Sequence, residues 1–152
     1  MSRSAFTLIE LVVVILIVAI LSTAVVPVFR NSKYEASAVT ILRNVRTIHQ
    51  QAELIKSIKG SYPGDARPSA FPTDLEGFVA PGVFETKLPD GGVYDWNGEG
   101  VSGLPMGMSV LFPSTADARG ELWQQLEAMA DDGDASAGWI ESAGLRIRFR
   151  LD

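Results

Sequence analysis

The stretch from Phe6 to Phe29 constrains this chain more than any other, because it is apolar almost throughout. Thr7 and Glu10 are the polar residues that precede an unbroken apolar run from Leu11 to Leu21. A helix needs roughly 20 mostly apolar residues to cross a bilayer, and a helix satisfies its own backbone hydrogen bonds in lipid. The stretch therefore predicts a membrane-spanning helix.

Glu10 is the anomaly in this stretch, because it places a carboxylate about one turn into the helix. An ionisable group inside a membrane is costly unless it is paired, and it indicates a functional site. Its partner has to be a cation at similar depth, and the nearby candidate within the chain is Arg3. If the chain is cut between Ala5 and Phe6, the new α-amino group of Phe6 is a second candidate. In an assembly, that amine on one subunit neutralises Glu10 on its neighbour.

The order of a short basic leader (MSRSA), the sequence FTLIE and a long apolar helix resembles the class III signal of type IV prepilins and type II secretion pseudopilins. The resemblance covers about the first third of the chain and includes Pro27, at a position where these helices often carry proline. It implies that a prepilin peptidase cuts between Ala5 and Phe6 and N-methylates Phe6. It also implies that Glu10 sets subunit register in a filament. The family usually has Gly before the cut, where this chain has Ala5.

The resemblance also implies partners and a location. The expected partners are copies of this chain or other pilin-like subunits, a prepilin peptidase, an inner-membrane assembly platform, and lipid before assembly. With Arg3 on the cytoplasmic side, the C-terminal domain lies outside the cytoplasm of a bacterial cell. The protein then enters a periplasmic or extracellular filament. Nucleic acid is not an expected partner, because the net charge is -5 and nucleic-acid binders usually carry a basic patch.

Three other interpretations remain open from the sequence. The first is a secretory signal cut after Ser22-Thr23-Ala24, which releases a domain that starts at Val25. The second is a single-pass anchor that never polymerises, and both of these leave Glu10 unexplained. The third is a minor subunit at a filament tip, acting as a binding module for DNA or a surface ligand.

The helical pattern continues past Pro27, where the missing N–H predicts a kink. Over residues 30–60 apolar side chains recur at helical spacing and predict an amphipathic continuation, with a buried stripe formed by Tyr34, Ala38, Ile41, Val45, Ile48, Ala52 and Ile55. Gly60 and Pro63 predict its end. His49, beside this stripe, is predicted to be a surface or rim residue.

The remaining residues, 61–152, are predicted to form a head domain that packs on residues 30–60. Its first segment, 61–82, is an irregular connection anchored by Tyr62, Phe71, Leu75 and Phe78. The predicted elements that follow are a hairpin of Val83–Leu88 and Val93–Trp96, a strand over Met106–Phe112, a helix over Ala116–Asp131 capped by Ser114 or Thr115, and a strand over Leu145–Leu151.

The predicted fold class is therefore α+β and pilin-like. A long N-terminal helix, whose first half spans the membrane, packs on a small antiparallel sheet, with a short helix in the C-terminal region. The predicted organisation is a leader over residues 1–5, a transmembrane or filament-core helix over 6–29, its amphipathic continuation over 30–60, and the head.

Two charged groups in the head are candidates for binding. Asp131, Asp132 and Asp134 are either calcium ligands or an acidic turn at a helix end. An arginine stripe on the last strand binds DNA or an anionic surface, is a solvated strand face, or pairs with acidic residues of neighbouring strands or subunits. It consists of Arg146, Arg148 and Arg150.

Catalysis is not expected. The chain has no cysteine and a single histidine. It also lacks a Gly-rich phosphate loop before a helix and a serine-nucleophile motif. The protein is accordingly predicted to be a structural filament subunit rather than an enzyme, without a cofactor other than calcium as a candidate.

Overall fold

The computed structural model describes residues 7–88, 91–98, 106–113, 116–130 and 138–151, and inside its helices it describes all side chains except those of 24–31 and 116–119. The chain divides into two compact units, Met1–Lys33 and Tyr34–Asp152. The predicted leader and parts of several loops lie outside the described residues.

Helix α1 spans Leu8–Lys59 and contributes to both units. Gly60 ends it in a left-handed conformation, with φ at 82°, and its N–H donates to the Lys56 carbonyl at 2.8 Å. This is the glycine stop that the sequence predicts. The backbone is helical at Pro27, whose side chain lies outside the described residues, so the kink stays a prediction. Among the residues that the structure describes, none of the helices has both the length and the apolar character needed to cross a membrane.

The second unit is a small α+β domain built on an antiparallel sheet of four strands in the order β1-β2-β4-β3. The strands are β1 (Val93–Asn97), β2 (Gly107–Leu111), β3 (Ile140–Ala143) and β4 (Arg146–Arg150). Two further helices accompany them, α2 (Gly82–Glu85) and α3 (Ala116–Ala130). The predicted α+β class, with a long N-terminal helix and a small antiparallel sheet, is confirmed.

The core forms between α1 and one face of the sheet. All seven residues of the predicted apolar stripe of α1 are buried, with Ala38, Ile41, Val45 and Ala52 at 0% exposure. Alternate residues of the strands face them, because successive side chains of a strand point to opposite sides. These buried strand residues are Tyr94, Trp96, Met108, Val110, Ile140, Ile147 and Phe149.

The segment after α1 is irregular, as predicted, and is held against the core by its apolar side chains. Leu75 is fully buried, and Tyr62, Phe71 and Phe78 pack against the core while partly exposed. The indole N–H of Trp96 donates to the Pro63 carbonyl at 3.1 Å, which fixes the start of the segment.

The predicted hairpin with Val83–Leu88 as its first strand is wrong. Residues 82–85 form α2, and β1 pairs with β2 instead. The other edge of β1 is taken by the earlier connection, where the N–H groups of Ala66 and Ser69 donate to the carbonyls of Trp96 and Tyr94 at 3.3 and 2.7 Å. A strand at 83–88 would have no free edge of β1 to pair with.

The sequence prediction missed β3, which forms a hairpin with β4. Ala143 pairs with Arg146, leaving a two-residue turn of Gly144 and Leu145. Gly144 has φ at 59°, and positive φ at this first turn position is what tight hairpins require. The predicted strands at 106–112 and 145–151 and the helix at 116–131 are confirmed, with ends that differ by one residue. The two candidates for the cap of this helix, Ser114 and Thr115, lie outside the described residues.

Gly107 is needed where β2 meets β4. Its φ is 139°, and a Cβ at this position would lie 2.2 Å from the carbonyl oxygen of Phe149. Gly120, on α3, has open space around the same position.

Substituting these two glycines should change stability in opposite directions. We expect Gly107→Ala to destabilise the head by about 2 kcal/mol or more, because it combines backbone strain with a clash against the β4 backbone. Gly120→Ala should stabilise by about 0.5–1 kcal/mol through the higher helix propensity of alanine. Urea unfolding of the full chain in detergent micelles, followed by tryptophan fluorescence, measures both; equal effects would contradict the register at Gly107.

Candidate functional site

The N-terminal part of α1 presents apolar side chains on every side. From Leu8 to Leu21 each large apolar side chain is between 46% and 81% exposed. A soluble protein rarely leaves an apolar patch of this extent uncovered. This part of the helix is therefore a surface that requires another apolar partner, such as lipid or a second helix.

Glu10 has a partner directly before its own helix that the sequence prediction did not consider. Its Oε2 accepts hydrogen bonds from the backbone N–H and the hydroxyl of Thr7, both at 2.8 Å. In return the Glu10 N–H donates to Thr7 Oγ1 at 3.4 Å. This reciprocal arrangement is a capping box, and the spacing Thr-x-x-Glu before an apolar run is its sequence signature.

The capping box gives Glu10 a structural role in the single chain. It satisfies donors at the helix start, which have no partner inside a helix, and it places the negative charge at the positive end of the helix dipole. It does not neutralise the carboxylate, because Thr7 carries no charge. The Glu10 carboxylate therefore still requires a cationic partner wherever it is removed from water.

Several predicted site residues lie outside what the structure describes. Ala5 and Phe6, the predicted cleavage and methylation positions, precede its first described residue, and Arg3 does so as well. The calcium candidates also lie outside, namely Asp131, Asp132 and Asp134. Among the described residues alone, no group of three acidic or histidine side chains is arranged to hold a metal ion.

The arginine stripe lies on the sheet face opposite α1, and two of its members are paired with acids of neighbouring strands. Arg146 forms an ion pair with Asp95 on β1, and Arg150 donates to Glu141 Oε1 on β3 at 3.1 Å. Of the outcomes that the sequence left open for the stripe, pairing with neighbouring strands is the one seen at these two residues.

The pair of Arg146 and Asp95 belongs to a buried polar network. Asp95 is 3% exposed and Ser109 is fully buried, and Ser109 Oγ accepts from Arg146 at 3.0 Å and donates to Asp95 at 3.4 Å. Asn97 extends the network by donating to Ser109 Oγ at 3.3 Å. Removing one partner of such a buried pair leaves an uncompensated charge, so the network fixes how β1, β2 and β4 pair.

His49 is buried, at 8% exposure, so its predicted surface position is wrong. Its Nε2 accepts a hydrogen bond from the Met108 N–H of β2 at 3.3 Å, and its ring lies edge-on to those of Trp96 and Trp139. Burial lowers the pKa of His49 from 6.5 to about 4, and the nearby carboxylate of Glu53 opposes this shift. A neutral imidazole therefore joins α1 to the sheet.

A second polar contact between α1 and the sheet lies at Tyr94. The Asn44 amide donates to the Tyr94 hydroxyl at 3.2 Å. Burial raises the pKa of Tyr94 to about 12, against the opposing effect of this hydrogen bond. The tyrosine is thus neutral at physiological pH, like His49, and the interface between helix and sheet is uncharged at both contacts.

The head should lose stability on acidification because of His49. Between pH 6.5 and about 4 the unfolded chain binds a proton at His49 that the folded chain does not bind. Stability is therefore complete above the unfolded pKa and falls by about 3 kcal/mol as the pH drops through this window. Protonation also removes the acceptor for the Met108 N–H.

Urea unfolding of the full chain in micelles, measured across this pH window, tests the role of His49. His49→Gln retains an acceptor but does not titrate in this range, so its stability should depend less on pH. A wild-type and a His49→Gln chain with the same pH dependence would contradict the assignment.

Comparison with known proteins supports the reading of the N-terminus. A family model described as the Prokaryotic N-terminal methylation motif matches residues 1–26. This motif is the prepilin-type signal of type IV pilins and pseudopilins, so the resemblance seen in the sequence is confirmed. No curated protein and no solved structure matches the chain.

Proposed function

We propose that this protein is a structural subunit of a type IV pilus-like filament or a type II secretion pseudopilus. The observation that carries the proposal is the combination of the methylation motif over residues 1–26 with a helix whose large apolar side chains from Leu8 to Leu21 are uncovered on all sides. The motif supports a pilin-like or pseudopilin subunit that assembles with other such subunits.

In the proposed life cycle, the chain first enters the inner membrane through the N-terminal part of α1. A prepilin peptidase then removes residues 1–5 and methylates the amine of Phe6. Lipid covers the apolar surface before assembly, and the helices of neighbouring subunits, brought together by an assembly platform, cover it afterwards. The head domain stays outside the cytoplasm and coats the filament.

Glu10 provides the electrostatic control of assembly in this proposal. The capping box satisfies two of its hydrogen bonds but leaves its charge, which is costly in an apolar surrounding. The cationic amine of Phe6 on an adjacent subunit neutralises it when the two helices are in register. A misplaced subunit leaves both charges unpaired, so the correct register is favoured.

Binding of a polyanion by the arginine stripe receives no support from the geometry. Arg146 and Arg150 are paired with Asp95 and Glu141 within the sheet, which reduces the positive charge available to a ligand. The net charge of -5 adds a general repulsion. A structural role therefore remains the single proposed function.

Processing is tested by N-terminal sequencing and intact mass of the protein extracted from the membranes of its own host. We expect the mature chain to start at N-methylated Phe6, because the resemblance to prepilins implies a cut after Ala5. A chain that starts at Val25 would make it a secreted domain and overturn the filament proposal. An uncut Met1 would indicate a plain anchor.

The role of Glu10 in assembly is tested by Glu10→Gln. Glutamine retains the acceptor for the Thr7 N–H, since a capping box accepts Glu or Gln at this position, but it carries no charge. We expect membrane insertion and head folding to be unchanged and filament yield, measured by sedimentation and electron microscopy, to be lost.

Glu35→Ala is the matched control for this experiment, because Glu35 is an exposed acid of α1 outside the apolar stretch. It should assemble as the wild type does. Filaments formed by Glu10→Gln at wild-type yield would show that capping, and not charge pairing, is the contribution of Glu10.

A further inference from the structure

A groove with a volume of about 480 Å³ lies where the outer face of α1 meets the end of α3. Its lining combines apolar side chains with two arginines; the residues are Val39, Leu42, Arg43, Arg46, Thr47, Gln50 and Met129. Val39 is 56% exposed and Met129 is 38% exposed, so the fold leaves apolar surface uncovered here. We call this surface the basic groove.

The two arginines of the basic groove are available to form ion pairs with a partner. Among the described residues, neither Arg43 nor Arg46 is in an ion pair. The guanidinium of Arg46 lies 5.8 Å from the centre of the Trp139 ring, which holds it beside the apolar surface. The groove therefore fits an occupant that carries an apolar tip next to carboxylates.

A surface of that chemistry exists elsewhere on the same chain, at residues 76–85. Two successive turns form it, with the Val79 N–H donating to the Leu75 carbonyl and the Phe84 N–H donating to the Pro81 carbonyl, both at 3.1 Å. Leu75, Val79 and Phe84 are buried and hold the turns to the core.

The opposite side of these turns faces solvent. Its exposed residues are small ones between two acids, namely Glu76, Gly77, Ala80, Pro81, Gly82 and Glu85. We call them the acidic knuckle. Neither of its acids is in an ion pair with a residue that the structure describes. The knuckle thus presents unpaired negative charge beside apolar surface, as the basic groove presents positive charge.

We propose that the acidic knuckle of one copy of this chain docks into the basic groove of the next copy. This inference rests on the proposed filament function, which brings copies together through α1, and it names the contact between their heads. Ala80 and Pro81 cover the apolar lining at Val39 and Met129. Glu76 and Glu85 pair with the arginines.

The contact can repeat from one copy to the next because the groove and the knuckle are different surfaces of the same chain. When one copy inserts its knuckle into the groove of another, the first copy keeps a free groove and the second keeps a free knuckle, so further copies can join head to tail. Complementary charges at the rim set orientation more than affinity and weaken with added salt. The heads therefore contribute register, while the apolar helices contribute most of the buried area.

Disulfide trapping tests the contact, because the chain has no cysteine of its own. The full chain carrying Thr47→Cys and Ala80→Cys together should give a ladder of covalent multimers under mild oxidation in host membranes. Neither substitution alone should give products beyond a dimer. Gln124→Cys in place of Ala80→Cys is the control, since Gln124 is exposed on α3 but outside the knuckle, and it should give no ladder.

Charge reversal provides a second test of the docking. Arg43→Glu should reduce the ladder about tenfold through repulsion by the knuckle. Adding Glu76→Lys or Glu85→Lys should restore it for whichever acid faces Arg43, which a folding defect would not allow. Arg46 is left intact because it contacts Trp139. Failure of both reversals to restore the ladder overturns the docking.

A separate reporter distinguishes failure of the docking from failure of the filament proposal. Leu16→Cys lies in the exposed apolar part of α1 and should trap contacts between helices, independently of the heads. Filaments and a Leu16→Cys product without the Thr47→Cys, Ala80→Cys ladder would overturn the docking alone. Absence of filaments and of both products would overturn the two proposals together.

Discussion

One continuous helix has to serve two surroundings, and the rest of the structure depends on how it does so. In the head, α1 buries a single stripe against the sheet, and its other faces are mostly polar, with Val39, Leu54 and Ile58 as exposed apolar residues. From Leu8 to Leu21, the helix exposes large apolar side chains in every direction. The head buries its stripe of the helix within the chain, whereas the apolar surface from Leu8 to Leu21 needs an apolar partner.

The polar contacts of the head follow from the need to seat a helix on a sheet without burying charge. His49 and Tyr94 are both neutral where α1 meets the strands, and burial moves the pKa of each in the direction that keeps it neutral. The charged residues are confined to the opposite face, where Asp95 and Arg146 compensate each other. The two faces of one small sheet therefore use different solutions to the cost of buried polar groups.

The sequence predicted most of the elements because their signals are local. The apolar stripe of α1, the glycine stop at Gly60 and the alternation of the last strand each depend on neighbours within a few residues. The failed hairpin at 83–88 depended on which strand edge was free, and the pairing of residues 66–69 with β1 decided that. His49 was misplaced for a related reason: its acceptor role depends on Met108, 59 residues away. The partner of Glu10, in contrast, was visible in the Thr-x-x-Glu spacing.

The pairing of residues 66–69 with β1 also protects the sheet. An uncovered outer strand offers unpaired N–H and C=O groups that can recruit the same strand of another molecule. Here the N–H groups of Ala66 and Ser69 occupy carbonyls on that edge, and Ser69 adopts a φ of 64° in doing so. Molecules of this chain that are concentrated in one place meet one another often. A sealed β1 edge removes one route to disordered aggregates under such crowding, and it leaves association to side-chain surfaces that specify a particular neighbour.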